Sequence, residues 1–561
     1  MISPATTFPP TKSSTFAVSP ETRRVFWLVL AGAAILAPML WWGMPSSRDL
    51  SNHFRFALPF YDSLRAGHLA PGWLAESNGG YGDASFRFYP PALYYLLALA
   101  KAVSGNWYTA TLFTATLVSV AGAIGIYFWA KELMPRETAM WAGIFYAIAP
   151  YHLNQFFQAF MLAEFAGAAV LPFAFAFTER VCKHRRPRDI AGLAGAYAIL
   201  ILTHLPLAVI GSIALFVYAI VRADAKRRLA TFASLALSVA IGLAASASYW
   251  TTMLFELKWI RADNINPEPG LNYRDNFVLS TFSPDYLNVW WMNILLLATV
   301  AMFWPALVLL RRSGRENIRG ELRGLSALFA LLFLTMFMAT PLSRPVWNLI
   351  HPLQDTQFPW RWLTITSMAS AIGLAASLPF WRRIAHGRTR SLVVLAAGTF
   401  AVAFAFSASH IIREAYWLTQ QQFDQKLAEI PGSRGVSQWW PAWVHEPLQS
   451  MSTQVEAEDR KLFIESWEPE RRVFHASAGH SNVARVRTFF YPHWAAIANG
   501  QRLVTSPDKD GALLITLPEK AATITLEFLE PSRVRYAALL TAVGWLAIGI
   551  LLFTRRRSIL N

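Results

Sequence analysis

The feature that most constrains this chain is a succession of long apolar stretches. They lie near residues 25–43, 109–130, 139–157, 158–178, 189–205, 206–221, 229–250, 288–310, 325–342, 362–380, 391–409 and 536–553. A bilayer core about 30 Å thick is crossed by roughly 20 apolar residues in helical form. The pattern therefore predicts a mainly α, polytopic helical membrane protein of about 12 spans. The third stretch is the weakest, because Pro150, His152, Asn154 and Gln155 interrupt its end. Residues 90–103 are also apolar, but they are short for a span and begin with two prolines. They read as a helix lying along the membrane surface. Composition agrees: 54% of residues are hydrophobic and 15% charged, where a soluble domain carries about 25% charged residues. Disordered, collagen-like and disulfide-stapled classes are excluded. The single cysteine, Cys182, permits neither an intramolecular disulfide nor a zinc-binding cysteine pair.

A net charge of +16 invites a nucleic-acid partner until the charges are placed. With the N-terminus inside, 26 of the 50 lysines and arginines fall in cytoplasmic segments and ten in the outer loops between spans. The remaining fourteen lie in 410–535, a segment too long for the short-loop rule to govern. Counting 90–103 as a span would put five basic clusters outside. The charge is therefore topogenic and no nucleic acid is expected. Both termini are expected on the cytoplasmic side of the membrane.

The first stretch reads as a span rather than a cleaved signal peptide, being too long and lacking a small-x-small site. Residues 1–24 read as a disordered cytoplasmic tail. Residues 25–409 form the transmembrane domain with a large outer loop, 44–108. Residues 410–535 form a small extracytoplasmic β-rich domain, and 536–561 the last span with a basic tail. Strand candidates in the outer domain begin at Ala484, Gly511 and Ala522, with turns at Asn499-Gly500 and Asp508–Gly511.

Outer loop 44–108 holds most of the unusual residues. Asp49 and His53 are spaced i, i+4 and share a face if the segment is helical. A carboxylate beside an imidazole can act as a base, hold a metal or bind a sugar hydroxyl; a solvated interfacial pair is the simpler reading on spacing alone. Gly79, Gly80 and Gly82 suggest a tight loop, since no strand–helix context makes them a phosphate fingerprint. Ionisable residues in or near spans are functional candidates by default. Glu164 is expected about a turn and a half inside the outer end of the fourth span, either functional or simply capped by a hydroxyl. His204 reads as an ordinary interfacial residue. Arg361 can pair with a lipid phosphate bidentately or merely snorkel, and Lys258 carries the same ambiguity.

Several of these residues fall into ordered motifs. They are Asp49-Leu-x-x-His53, Gly79-Gly-Tyr-Gly-x-x-x-Phe-x-Phe-Tyr-Pro-Pro91, Ala149-Pro-Tyr-His152, Leu162-Ala-Glu164, Phe358-Pro-Trp-Arg361 and Tyr491-Pro-His-Trp494. In order and sidedness the chain resembles the bacterial multi-spanning family labelled 6-pyruvoyl-tetrahydropterin synthase-related, and more widely the GT-C membrane glycosyltransferases. The resemblance implies an outer-face site, a polyprenyl-phosphate sugar donor, a glycan, lipid or protein acceptor, and an acidic residue after the first span, where Asp49 stands. Asp49, His53 and Glu164 are then the catalytic candidates; Asp83, Arg87, Tyr89, His152, Lys258 and Arg361 are the substrate-binding ones. No compact histidine cluster marks a pterin-synthase zinc site. No cofactor is fixed by the sequence, and a divalent metal is left open. A transporter or flippase for a lipid-linked saccharide and a non-catalytic membrane scaffold are the competing readings. The spans show no inverted repeat with paired broken helices of the kind common in transporters.

Overall fold

A computed structural model of the chain describes residues 19–261, 271–280, 291–295, 319–381, 388–430, 436, 439–445 and 451–554. All of the expected span 288–310 except 291–295, and most of tail 1–24, lie outside these residues. Ser19 caps the first helix, α1 (Pro20–Ala33), by accepting from Thr22 N–H. A short kink leads into α2 (Leu36–Trp42), and the two cross as one span.

The membrane body continues with α3 (Arg48–Arg65), α4 (Ala92–Ser104), α5 (Trp107–Ala130), α6 (Arg136–Ala147), α7 (Pro150–Phe157), α8 (Leu162–His184), α9 (Pro187–Thr203), α10 (Leu205–Arg222), α11 (Arg228–Ala245) and α12 (Ala247–Glu256). After α12 come α13 (Arg319–Ala339), α14 (Arg344–Leu349), α15 (His351–Gln354), α16 (Leu363–Trp381), α17 (Arg388–Arg413), α18 (Gln420–Ala428) and the final α19 (Ser532–Phe553). Among the described residues, seven helices are long and apolar enough to cross a membrane, or eight if the pair Ser326–Ala339 and Pro341–Leu349, bent by 83°, is one span.

Two expected spans are broken. Stretch 139–157 is two helices, because Pro150 cannot continue α6 and instead starts α7 at its first position. Stretch 229–250 breaks at Ser246, whose hydroxyl turns back onto the Gly242 carbonyl. The apolar segment 90–103 is α4, too short to span, as its length implied.

Small residues let the spans approach closely. A Cβ on Gly143 of α6 would lie 2.5 Å from the Ala123 carbonyl of α5. The most enclosed spans are α8 and the one ending in α16, with 78% and 83% of their apolar windows buried; the first and last spans bury 22% and 17% and turn apolar faces to lipid. The basic helix ends gather at one end of the bundle. There Arg24 pairs with Glu137, Arg136 with Glu21, Arg222 with Glu179 and Arg180 with Asp189.

At the other end, β1 (Met44–Ser46) pairs antiparallel with β2 (Tyr416–Leu418) and joins the exit of the first span to that of α17. Gly43 permits this ribbon: it has φ +111°, and a Cβ there would sit 2.1 Å from the Leu418 carbonyl oxygen. The remaining strands are β3 (Val455–Glu456), β4 (Leu462–Trp467), β5 (Arg471–Ala476), β6 (Val483–Phe489), β7 (Trp494–Ala498), β8 (Gln501–Leu503), β9 (Thr505–Pro507), β10 (Ala512–Thr516) and β11 (Ala522–Phe528). They form antiparallel sheets ordered β3-β6-β10-β9 and β4-β5-β11-β7-β8. Alternation sets the register: Ile524, Leu526 and Phe528 point into the core while Thr523, Thr525 and Glu527 do not. The core is shared. Trp73, Tyr81 and Phe88 of the loop 44–108 pack in the same cluster as Phe474, Phe489 and Trp494.

Candidate functional site

Ser47 begins the site. Its Oγ accepts from Asp49 N–H at 3.3 Å and donates to the Ala159 carbonyl at 2.5 Å, fixing the start of α3 on the loop before α8. Asp49 therefore stands in the first turn of a helix just beyond the first span. Among the described residues its carboxylate receives one contact, from Asn52 Nδ2 at 3.5 Å, at the outer limit of hydrogen bonding. Burial pushes its pKa up to about 6; Asn52 and the charge of Arg361 pull the other way, and Glu164 adds to the rise. A carboxyl titrating there is ionised at neutral pH yet basic enough to take a proton.

His53 lies one turn on, but the pair suggested by the spacing is not formed. Its Nε2 accepts from Leu162 N–H at 3.1 Å, capping the N-terminus of α8, and its Nδ1 faces the Tyr94 hydroxyl at 2.9 Å. An Nε2 that accepts leaves the proton on Nδ1. Burial holds the ring neutral, with a pKa near 4. Through these two contacts His53 joins α3 to α8 and α4.

Glu164 sits in the first turn of α8, fully buried. Its Oε1 accepts from Tyr151 at 3.0 Å and Gln155 at 2.8 Å, and its Oε2 from Arg361 Nε at 2.9 Å. Arg361 also donates Nη1 to the Thr356 carbonyl. These two candidates, 197 residues apart in sequence, thus form one buried ion pair. His152, on α7, is stacked between Tyr146 and Phe165 with ring centroids 4.4 and 4.5 Å away. Tyr89 packs on Phe56 and Tyr94 beside this group, where it feels the charges of Asp49, Arg361 and Glu164.

The other substrate-binding candidates lie elsewhere. Asp83 is buried within its own loop, accepting from Ser85 N–H, Ser85 Oγ and Asn78 Nδ2; its neighbours Asn78, Gly79, Gly80 and Gly82 all have positive φ, as a tight loop requires. Arg87 forms a second cluster. It donates to both Glu256 oxygens at 2.5 and 2.8 Å and to both Glu530 oxygens at 2.5 and 3.0 Å. Arg533 and Tyr491 also donate to Glu256, at 2.9 and 2.7 Å. Burial opposes the Glu256 charge, but the Arg87 and His493 contacts outweigh it and hold the carboxyl well below its usual range. This cluster ties the outer loop, α12, the β-domain and the last span together. Lys258 is exposed beside it. His204, expected at the interface, is instead buried, and its Nδ1 accepts from Leu207 N–H to cap α10.

Sequence reading missed Tyr151, Gln155 and Thr356 around the Glu164–Arg361 pair. It also missed Asn52, Arg55 and Lys426, which line a cleft of about 500 Å³ beside Asp49. Asn52 and Arg55 had one available signal, their i+3 and i+6 spacing from Asp49. Among the described residues no three His, Cys, Asp or Glu side chains converge, and Glu164 is ion-paired with Arg361.

Fold and site define a polytopic membrane protein with an acidic centre at the end of the bundle that carries its β-domain. The model of the 6-pyruvoyl-tetrahydropterin synthase related domain, described as a membrane protein, matches residues 86–412, and the chain belongs to that family. No curated protein matches. Among solved structures, ArnT from Cupriavidus metallidurans bound to undecaprenyl phosphate is similar at 13% identity and TM-score 0.40, over 74% of this chain and 78% of that one. Arabinofuranosyltransferase AftD from Mycobacteria is similar at 19% and 0.42, over 70% and 27%. The Archaeoglobus fulgidus oligosaccharyltransferase tethered with an acceptor peptide is similar at 13% and 0.39, over 77% and 61%.

Proposed function

We propose that this protein is a membrane glycosyltransferase that moves a sugar from a polyprenyl-phosphate donor to an acceptor hydroxyl at the outer face, with Asp49 as base. The observation that carries the reading is the state of Asp49. It is a carboxylate with a raised pKa and one long contact, just beyond the first span. Asp49 takes the acceptor's hydroxyl proton. The oxygen so freed forms a bond to the anomeric carbon as the carbon–oxygen bond to phosphate breaks. The lipid phosphate leaves with the electron pair, and the anomeric centre inverts. Phosphate is a good leaving group, so stabilising its charge replaces a general acid. Glu164 and Arg361 hold each other and carry the wall on which α3 rests; His53 fixes α3 to that wall. In this reading the basic end of the bundle and both termini face the cytoplasm.

The test uses the purified full chain in lipid nanodiscs with a panel of polyprenyl-phosphate sugars and hydroxyl acceptors. Sugar-dependent release of polyprenyl phosphate, matched by acceptor glycosylation, is expected for at least one donor. Movement of intact donor across the bilayer without bond cleavage would favour the flippase reading instead. Single cysteines in a Cys182→Ser background test sidedness: residues 460–520 should label from outside.

A further inference from the structure

The proposed reaction needs a place for the donor's phosphate, and Arg361, the residue that sequence marks for it, has Nε and Nη1 committed to Glu164 and Thr356. Building on the glycosyltransferase reading, we propose that the lipid phosphate binds in the cleft between the start of α3 and helix α18, on Arg55 and Lys426.

Two cations face this cleft, and among the described residues neither has a carboxylate in ion-pair reach. Arg55 reaches the Asn52 amide oxygen at 3.4 Å, and its buried Nε has no hydrogen-bond partner among the described residues. Lys426 donates to Ser46 Oγ at 3.2 Å. Three other enclosed arginines are paired with carboxylates. Arg87 has two glutamates, Arg222 has Glu179 and Arg361 has Glu164. A guanidinium with a buried unmade donor beside an ammonium is unfavourable alone and becomes favourable when an anion enters. The rest of the lining, Ser46, Ser47, Ser51 and Asn52 with Tyr416, supplies hydroxyl and amide groups and no acid. Such a set suits a phosphate's several acceptor oxygens.

The surroundings point to a lipid as the carrier. The cleft opens beside the β1–β2 ribbon at the exit of the first span. On that rim Leu40, Trp41 and Tyr416 are 74%, 81% and 66% exposed, and Trp42 packs on Trp417 at 5.6 Å. Exposed aromatic rings at the end of a span mark the headgroup level of a bilayer. A phosphate held there leaves its polyprenyl chain a direct course into hydrocarbon.

The cleft is also joined to the base. Asn52 contacts Asp49 with its amide nitrogen and Arg55 with its oxygen, so the three residues form one row along α3. Phosphate and base then lie on neighbouring stations of one rigid helix. Arg55 and Lys426 meet the charge that develops on the departing phosphate, while Asp49 serves the acceptor.

Binding rather than turnover tests this. The full chain is placed in phosphatidylcholine nanodiscs and titrated with a polyprenyl monophosphate, with the matching polyprenol, and with inorganic phosphate as competitor. Arg55→Gln and Lys426→Gln should each weaken monophosphate binding by about tenfold, the loss of one charged contact. Polyprenol should bind both variants as it binds the parent chain, which shows that they are folded. Inorganic phosphate at millimolar level should compete poorly. Equal monophosphate affinity in the parent and both variants would overturn the assignment even if sugar transfer were demonstrated. So would equal affinity of the parent for monophosphate and polyprenol. Full displacement by inorganic phosphate would make the ligand free phosphate and overturn the lipid source. The glycosyltransferase reading fails separately, by absence of transfer in a chain that still binds the monophosphate through Arg55.

Discussion

Glu256 and Asp49 are both acids enclosed at the end of the bundle that carries the β-domain, and they differ in how fully the protein answers their charge. Glu256 receives two nitrogens of Arg87, one of Arg533 and the Tyr491 hydroxyl, all within 2.9 Å. Asp49 receives one amide at 3.5 Å. The first is a carboxylate whose hydrogen-bonding capacity is used up, and its pKa falls; the second has capacity left, and burial lifts its pKa to about 6. Glu164 is hydrogen-bonded as fully as Glu256, with an arginine, a tyrosine and a glutamine on it. Proton transfer needs a group whose ionised form is not already satisfied. In the proposed reading, Glu256 and Glu164 are structural and Asp49 carries the chemistry.

Glu256→Gln gives the largest effect expected of the structural class. It removes the carboxylate that Arg87 and Arg533 share and leaves the buried Arg87 with Glu530 alone, and breaking a buried pair costs up to about 3–5 kcal/mol. Thermal unfolding of the purified chain should show a large drop in Tm, and a Tm within a degree of the parent would remove the cluster's structural role. Arg361→Lys should follow, with turnover falling about tenfold or more, because an ammonium cannot serve Glu164 and the Thr356 carbonyl with the same planar geometry. Unchanged kcat and KM would separate the pair from the site.

Asp49 itself should show the opposite stability sign. Its folded pKa lies above the ordinary 3.8, so its neutral form is favoured by the fold. Any stability contributed by protonation is full below about pH 4 and lost as pH rises to about 6. Asp49→Asn should therefore be as stable as the parent at pH 7.5, or more so by on the order of 2 kcal/mol. A lower Tm for Asp49→Asn at pH 7.5 than for the parent would mean that the charge has a partner after all. The smallest effect is expected at Lys258, exposed and outside both clusters. Lys258→Ala should change stability by less than about 0.5 kcal/mol and leave transfer unaltered.

Much of this was legible in the sequence. Spans, the surface helix 92–104 and the strands beginning near Ala484, Gly511 and Ala522 follow from apolar runs, length and alternation, which act locally. Asp49, Glu164 and Arg361 could be singled out because charge near hydrocarbon is costly. Their partners could not. The Glu164–Arg361 pair and the Arg87–Glu256–Glu530 cluster join residues hundreds of positions apart, and nothing in spacing reports such a meeting. Local spacing also misled at His53, where the i+4 relation to Asp49 is real but the ring's nitrogens answer Leu162 and Tyr94 instead. Pro150 broke the third span, as the interruption of its apolar run had hinted.

The most direct test is sugar transfer measured for the parent chain and Asp49→Asn side by side across pH 5 to 8. The account predicts that parent turnover rises with pH through about 6, as Asp49 loses its proton, and then levels. It also predicts that Asp49→Asn, folded and still binding polyprenyl monophosphate, is slower by about 10²–10⁴-fold. Transfer by Asp49→Asn at the parent's rate, with the same rise near pH 6, would contradict it.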